Sequence, residues 1–104
     1  MSRYYIDLKD LNAKNPNVGL FVTLGDTDFI FKILWNDYAE CAFLSIEDSN
    51  NEQIISGLAL VNGLRIRNNK LPYILHFEQI NGETYEPNID IIGDEFMFYY
   101  EVED

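Results

Sequence analysis

The stretch from Phe21 to Asp37 constrains the fold of this chain more than any other part of its sequence. Two runs of alternating residues flank a short polar turn of Gly and Asp at residues 25–28. In the second run, one face would carry Phe29, Phe31, Ile33 and Trp35, and the other face Asp28, Ile30, Lys32 and Leu34. A period of two is typical of a β-strand, because successive side chains point to opposite sides of the sheet. Two such runs around a Gly/Asp turn predict a β-hairpin.

The same alternation continues along the chain and predicts about seven strands with little helix. The predicted strands are Arg3–Leu8, Val18–Leu24, Asp28–Trp35, Cys41–Glu47, Gln53–Val61, Tyr73–Ile80 and Glu95–Val102. Residues 62–71 fit either a loop with a short strand or a single helical turn, and residues 83–93 are expected to be irregular. Short strands separated by frequent turn signals indicate a small barrel or sandwich. We therefore predict an all-β fold of mostly antiparallel strands.

Length and charge restrict the classes of partner. The chain has 104 residues, and the usual size of domains predicts a single β domain over residues 1–104. Its formal net charge is −11, and no Lys or Arg follows Lys70. Contact with phosphate groups requires basic side chains, so we expect no binding to nucleic acid and no docking on an anionic membrane. The acidic C-terminal part is then either a solvated surface or a surface that faces a basic partner.

Cysteine content and hydropathy indicate where the chain is made. Cys41 is the only cysteine, so no internal disulfide can form, and this argues against a small disulfide-stabilised secreted scaffold. The N-terminal residues lack the apolar segment of a signal peptide. No apolar run approaches the roughly 18 residues of a membrane-spanning helix. We expect synthesis in a cytoplasm, with no membrane targeting by the sequence itself.

Few residues suggest chemistry. Those that stand out are Asp26 and Asp28 in a turn, Asp90, Asp94 and Glu95 in a loop, His76 and Glu78 in a strand, and Cys41. Two or three carboxylates are too few for calcium, which takes about six to eight oxygen ligands. A lone strand histidine is more often a packing residue than a general base, and a Cys among apolar residues is more often a small hydrophobe than a nucleophile. We predict no catalytic residue, no metal site and no cofactor.

Arg65, Arg67 and Lys70 form the one basic concentration of the chain. These side chains either balance nearby acidic residues or contact an acidic surface on a partner. Both explanations are consistent with the sequence, and the second makes the three residues candidate partner contacts.

Three segments, taken in order, resemble a known family. A strand that ends in Trp35, Asn36 and Asp37 precedes an alternating strand, and a segment bounded by Gly57 and Gly63 follows. Gly57 also interrupts a predicted strand, which suggests either a β-bulge or the close approach of another backbone. This combination, over about residues 4–63, resembles the small baseplate plug proteins of contractile-tailed bacteriophages and related prophages.

The resemblance implies a structural role without catalytic residues or a cofactor. It implies a virion protein of the tail baseplate, made in the cytoplasm of a bacterial host, which closes the central hub region. Its partners would be baseplate hub and spike proteins, and it could form a homo-oligomer on the tail axis. The alternative from the residues alone is a soluble β-sandwich binding module, for instance for carbohydrate, that uses exposed Tyr and Trp side chains. An enzyme is the least favoured class, because no catalytic motif is present.

Overall fold

The alternating runs form eight strands in a computed structural model that describes residues 1–103. The strands are β1 (Ser2–Ile6), β2 (Asn17–Leu24), β3 (Thr27–Asn36), β4 (Cys41–Asp48), β5 (Gln53–Ala59), β6 (Leu64–Ile66), β7 (Leu75–Gln79) and β8 (Phe96–Val102). They form two four-stranded antiparallel sheets: the first sheet has the order β1-β8-β7-β6, and the second has the order β2-β3-β4-β5. The predicted all-β, antiparallel fold is confirmed, and the two sheets do not close into a barrel.

The predicted hairpin is formed by β2 and β3, with a tighter turn than the sequence suggested. Leu24 pairs with Thr27, so the turn consists of two residues rather than four. Gly25 occupies the first turn position with a φ of 64°, as a two-residue turn with Gly first requires. Asp28 belongs to β3, where its carboxylate accepts a hydrogen bond from the hydroxyl of Thr23 across the hairpin, at 2.6 Å.

The core lies between the two sheets. The predicted apolar face of β3 is confirmed, because Phe29, Phe31, Ile33 and Trp35 are each at most 8% exposed. The ring of Phe31 lies 5.9 Å, centroid to centroid, from the ring of Phe98 in the first sheet. Residues from both sheets therefore share one buried cluster.

The strand that exceeds the predicted number, β6, lies in residues 62–71, the segment that fitted either a short strand or a helical turn. Residues 60–63 carry the chain from the second sheet to the first, since the N–H of Leu60 donates to Ala42 and the N–H of Gly63 donates to Phe77. Gly63 has a φ of 85°, which favours glycine at this crossing. As a result β5 ends at Ala59, short of the predicted end, and a three-residue β6 follows the crossing.

The long connection between β7 and β8 contains no strand, as expected from its polar sequence. Asn62 holds it to the crossing: its side-chain amide donates to the carbonyls of Glu83 (2.8 Å) and Tyr85 (3.0 Å). The side-chain oxygen of Gln79, a buried residue, accepts from the N–H groups of Asn81 (2.6 Å) and Glu83 (2.9 Å). The loop is thus fixed by two buried or half-buried amide side chains rather than by a sheet.

Candidate docking surfaces

The Trp-Asn-Asp segment builds the turn between β3 and β4. Trp35 faces the core, and its indole N–H donates to the carboxylate of Asp37 at 2.9 Å. The side-chain oxygen of Asn36 accepts from the N–H of Ala39 at 2.9 Å, which closes the turn. Tyr38 at the tip is fully exposed. These contacts fix the backbone geometry of the turn, and the Tyr38 ring faces outward.

Gly57 and Gly63 also occupy backbone positions that favour glycine. Gly57 has a φ of 61°, beside two register shifts in the pairing of β4 with β5, so the predicted bulge is confirmed. Its N–H donates to the hydroxyl of Ser45 at 3.0 Å. That these glycines and the Trp-Asn-Asp turn form the structural motif of a family stays a prediction from the sequence.

The three basic residues are exposed, but they differ in their contacts. Lys70 approaches the carboxylate of Glu52 at 4.0 Å. Within residues 1–103, no ion pair involves Arg65, which lies opposite His76 in the first sheet, or Arg67. Internal charge balance therefore accounts for the lysine better than for the two arginines. The assignment of the three residues as partner contacts stays a prediction.

Several carboxylates of the acidic C-terminal part are engaged within the protein. The carboxylate of Glu86 accepts from the N–H of Asn62 at 2.9 Å, and that of Glu95 accepts from the hydroxyl of Tyr85. This hydrogen bond to Glu95, together with partial burial, raises the pKa of Tyr85. Part of the acidic sequence thus holds the loop between β7 and β8 in place and is not a free surface.

His76 and Cys41 occupy packed positions. His76 is half-buried and stacks on Tyr99, with ring centroids 4.9 Å apart. The thiol of Cys41 donates to the carbonyl of Ala42 at 3.3 Å, and burial raises the pKa of Cys41, which disfavours its reactive thiolate form. In the described part of the chain, His, Cys, Asp and Glu side chains do not gather in groups of three or more that could hold a metal ion.

The outer face of the second sheet carries a surface that the sequence analysis did not single out. The residues that face outward include Gly19, Phe21, Ile30, Lys32, Leu34, Phe43, Ser45 and Glu47. Phe21 is 90% exposed and Leu34 is 49% exposed. A shallow depression of about 620 Å³ crosses this face, and the ion pair between Lys32 and Glu47 (3.2 Å) lies within it. The alternation of β3 correctly predicted the outward position of three of these residues, Ile30, Lys32 and Leu34, but only the sheet shows that all of them form one surface.

The described residues contain no helix with the length and apolar character needed to cross a bilayer. No curated protein matches the chain. A sequence model of the family described as cyanophage baseplate Pam3 plug gp18 matches residues 3–103, which is nearly the whole chain. The resemblance to baseplate plug proteins is thereby confirmed, and it extends well beyond the segment that first indicated it. The chain belongs to the cyanophage baseplate Pam3 plug gp18 family.

Proposed function

We propose that this protein is a structural component of a phage tail baseplate and closes its central hub region through contacts with hub and spike proteins. The observation that carries this proposal is the family match over residues 3–103. Membership of a baseplate plug family implies a place in the virion tail baseplate and contact with other baseplate proteins, and it favours a non-enzymatic role. The hub and spike proteins as specific partners belong to the proposal.

The surfaces described above support a role in protein contact. Phe21 and Leu34 expose apolar area on the outer face of the second sheet, and exposed apolar patches commonly mark protein–protein contacts. Arg65 and Arg67 have no ion pair among the described residues, so they are available to an acidic partner. We therefore assign Arg65, Arg67 and Lys70 to one partner contact and the outer face of the second sheet to another.

The proposal also covers the form in which the protein acts. Residues 1–104 act as one β domain, made in the cytoplasm of the bacterial host of a phage or prophage. A homo-oligomer on the tail axis is part of the same proposal, because a central plug must match the rotational symmetry of the tail around it.

The carbohydrate-binding alternative receives little support from the geometry. A sugar platform requires an exposed aromatic ring, and Trp35, the single tryptophan of the chain, is only 8% exposed. Tyr38 is fully exposed, but it stands at a turn and does not line the depression on the second sheet. Tyr4 and Tyr5 of β1 are the exposed rings that such a module would have to use.

The direct test is the structure of tails made with and without this protein. We expect electron micrographs of tails lacking it to show altered or missing baseplates, and expression of the protein in trans to restore them. We also expect the protein to copurify with intact tails. Normal baseplates in its absence, together with its absence from purified wild-type tails, would refute the proposal. A clear hit on a glycan array combined with normal tails would favour the binding module.

A further inference from the structure

The edge strands of the two sheets differ in how they are protected from pairing with another chain. β1 carries the charged Arg3, β6 has three residues including Arg65, and β5 is distorted by register shifts and by the positive φ of Gly57. Charges, short length and bulges are the usual means of blocking a sheet edge. β2 has none of them: its eight residues, NVGLFVTL, include no charge, no proline and no positive φ.

The β2 edge is also incompletely covered on both faces. On the inner side, Val18, Leu20 and Val22 remain half-exposed, whereas their partners in β3 are buried. On the outer side, Phe21 is 90% exposed. Among the described residues, β2 has no neighbouring strand on its free side. An additional strand there would cover apolar side chains on both faces of the sheet.

The hydrogen-bonding register shows which backbone groups point away from the sheet. The N–H of Trp35 donates to the carbonyl of Pro16 at 2.8 Å. In an antiparallel pair, bonded and non-bonded positions alternate, so the even-numbered residues of β2 face β3. The N–H and C=O groups that point to the free edge then belong to Asn17, Gly19, Phe21 and Thr23. Within residues 1–103, no strand lies beside them.

Gly19 lies in the middle of this edge without an internal reason to be glycine. Its φ is not positive, and a Cβ placed on it would meet nothing within 4 Å. Glycine weakens a strand and commonly marks the close approach of another backbone. The pairing of β2 with β3 is unbroken, so Gly19 does not mark a bulge. The isolated protein would accommodate a larger residue here, which leaves the approach of a backbone from another molecule as an explanation for the glycine.

We propose that β2 is an open pairing edge that is completed by an extended segment of a neighbouring baseplate protein, which adds a fifth strand to the second sheet. This inference rests on the proposed function, since it takes its partner from the baseplate. Main-chain bonds to the four outward residues supply the pairing, and an apolar partner side chain covers Phe21, as in other cases of strand addition.

Charge identifies the chemistry of the added segment. The chain has a net charge of −11, and Asp26 and Asp28 stand at the end of the edge, where Thr23 bonds Asp28. A second copy that paired through this edge would bring a chain of equal negative charge to it, so the homo-oligomer proposed above would use another surface. A neutral or basic segment would instead be attracted. The occupant is therefore a neutral-to-basic, alternately apolar strand of a different protein.

Gly19→Lys provides the test, because a lysine on an edge strand blocks pairing while the isolated structure has room for it. Ser56→Lys is the matched control: it adds the same charge to an exposed position of β5, at the opposite edge of the same sheet. The new lysine stands opposite Lys32 across the hairpin, and such a like-charge pair is destabilising. We therefore expect purified Gly19→Lys to keep the wild-type circular dichroism spectrum and cooperative unfolding, with a somewhat lower thermal midpoint. Its incorporation into tails in cells that lack the wild-type gene should fall by about tenfold or more, while Ser56→Lys is incorporated normally.

Hydrogen exchange provides a second measurement that requires no mutation. In purified wild-type protein, the outward half of the amides in a peptide spanning residues 17–24 should exchange quickly. In purified tails the same amides should exchange slowly.

Normal incorporation of Gly19→Lys, or fast exchange of these amides within tails that contain the protein, would overturn the inference and leave the proposed function standing. Protection that appears with rising concentration of the purified protein alone would overturn the hetero-partner in favour of a second copy. Absence of the wild-type protein from purified tails would overturn the proposed function itself, and with it the partner assigned to β2.

Discussion

The outer faces of the two sheets differ in how far two of their aromatic side chains, Tyr99 and Phe21, are exposed. In the first sheet, Tyr99 points outward and is nevertheless 4% exposed. His76 stacks on its ring, Arg3 lies 4.1 Å from the ring centroid, and its hydroxyl donates to Glu78 at 2.6 Å. In the second sheet, Phe21 points outward and is 90% exposed. The first sheet covers Tyr99 with its own side chains, although the neighbouring Tyr5 remains 62% exposed. The second sheet leaves Phe21 uncovered.

This difference separates residues that stabilise the isolated protein from residues that are free to bind. Tyr99 in β8 is covered by cross-strand neighbours in β1 and β7, whose interactions each contribute roughly 0.2–1 kcal/mol. Phe21 contributes little to the isolated fold, because nearly all of its surface remains in water. We expect substitutions on the covered face to change stability and substitutions on the open face to change association.

The largest expected effect contrasts two adjacent residues of β3. Ile33→Asp should abolish folding, because it buries an unpaired charge at a position that is 1% exposed. Leu34→Asp, one residue along on the open face, should change the free energy of unfolding by no more than about 1 kcal/mol. Circular dichroism and urea denaturation of both variants provide the measurement. Cooperative unfolding of Ile33→Asp would show that the inner face of β3 has been misassigned.

The second effect concerns the aromatic at the end of the same strand. Trp35→Ala should destabilise the protein by about 3–5 kcal/mol, as expected for a large side chain removed from a core. Tyr38→Ala, at the exposed tip of the adjacent turn, should cost less than about 0.5 kcal/mol. In the wild type, the single tryptophan should emit at short wavelength and resist quenching by acrylamide. Long-wavelength, easily quenched emission would contradict its burial.

The third effect tests how the first sheet holds its long loop. Asn62→Ala removes hydrogen bonds to Glu83 and Tyr85 and should cost about 1–3 kcal/mol. Hydrogen exchange in residues 80–95 should accelerate. Asn88→Ala is the control, because among residues 1–103 the Asn88 side chain bonds only the nearby N–H of Asp90, at an exposed site. Equal effects of the two substitutions would argue that Asn62 does not hold the loop.

The fourth effect concerns pH and the covered face. Burial, followed by the hydrogen bond to Glu78, raises the pKa of Tyr99 to about 12 from an ordinary value of 10.0. The folded state therefore favours the neutral phenol, so its stabilising contribution is complete below pH 10 and is lost as the pH rises toward 12. Tyr85 and Tyr100 also have raised pKa values, so the wild type should lose stability in this range for more than one reason.

Comparison of Tyr99→Phe with the wild type isolates the contribution of Tyr99. The variant should be less stable at neutral pH, because Glu78 loses its partner, and it should lose less stability between pH 9 and 12. Tyr38→Phe, which removes an exposed hydroxyl, should retain the wild-type profile. A Tyr99→Phe profile parallel to that of the wild type would show that this phenol does not contribute to the alkaline loss.

The smallest effect on stability is expected at the basic residues. Arg65→Glu combined with Arg67→Glu should leave the free energy of unfolding nearly unchanged, because exposed charges contribute little. Assembly into tails should slow, most strongly at low salt, since charge attraction is screened beyond about 8 Å at physiological ionic strength. The control is Lys9→Glu combined with Lys14→Glu, which changes the net charge by the same amount at two other exposed residues. If the two double variants assemble at equal rates, the arginines are not a specific contact.

The local pattern of the chain predicted the strands and their faces but not their arrangement. The alternation around Ile33 determined which residues of β3 are buried, because a period of two can be read without knowing the neighbours. The same pattern could not say that residues 64–66 form a strand, since β6 depends on pairing with β7. Nor could it identify the roles of Asn62 and Gln79. The side chain of Asn62 bonds Glu83, Tyr85 and the N–H of Gln79, which lie 17 or more residues further along the chain.

The candidate surfaces divide in the same way. The sequence alone determined the all-β class, the buried face of the hairpin, the asymmetry of charge and, through Trp35, Asn36, Asp37, Gly57 and Gly63, the family resemblance. Only the tertiary structure decided that β2 lies at the edge of a sheet, that Phe21 has no neighbour to cover it and that Tyr99 is covered by three other strand residues. The physical reason is that strand periodicity is a local property, whereas exposure depends on which strands lie side by side.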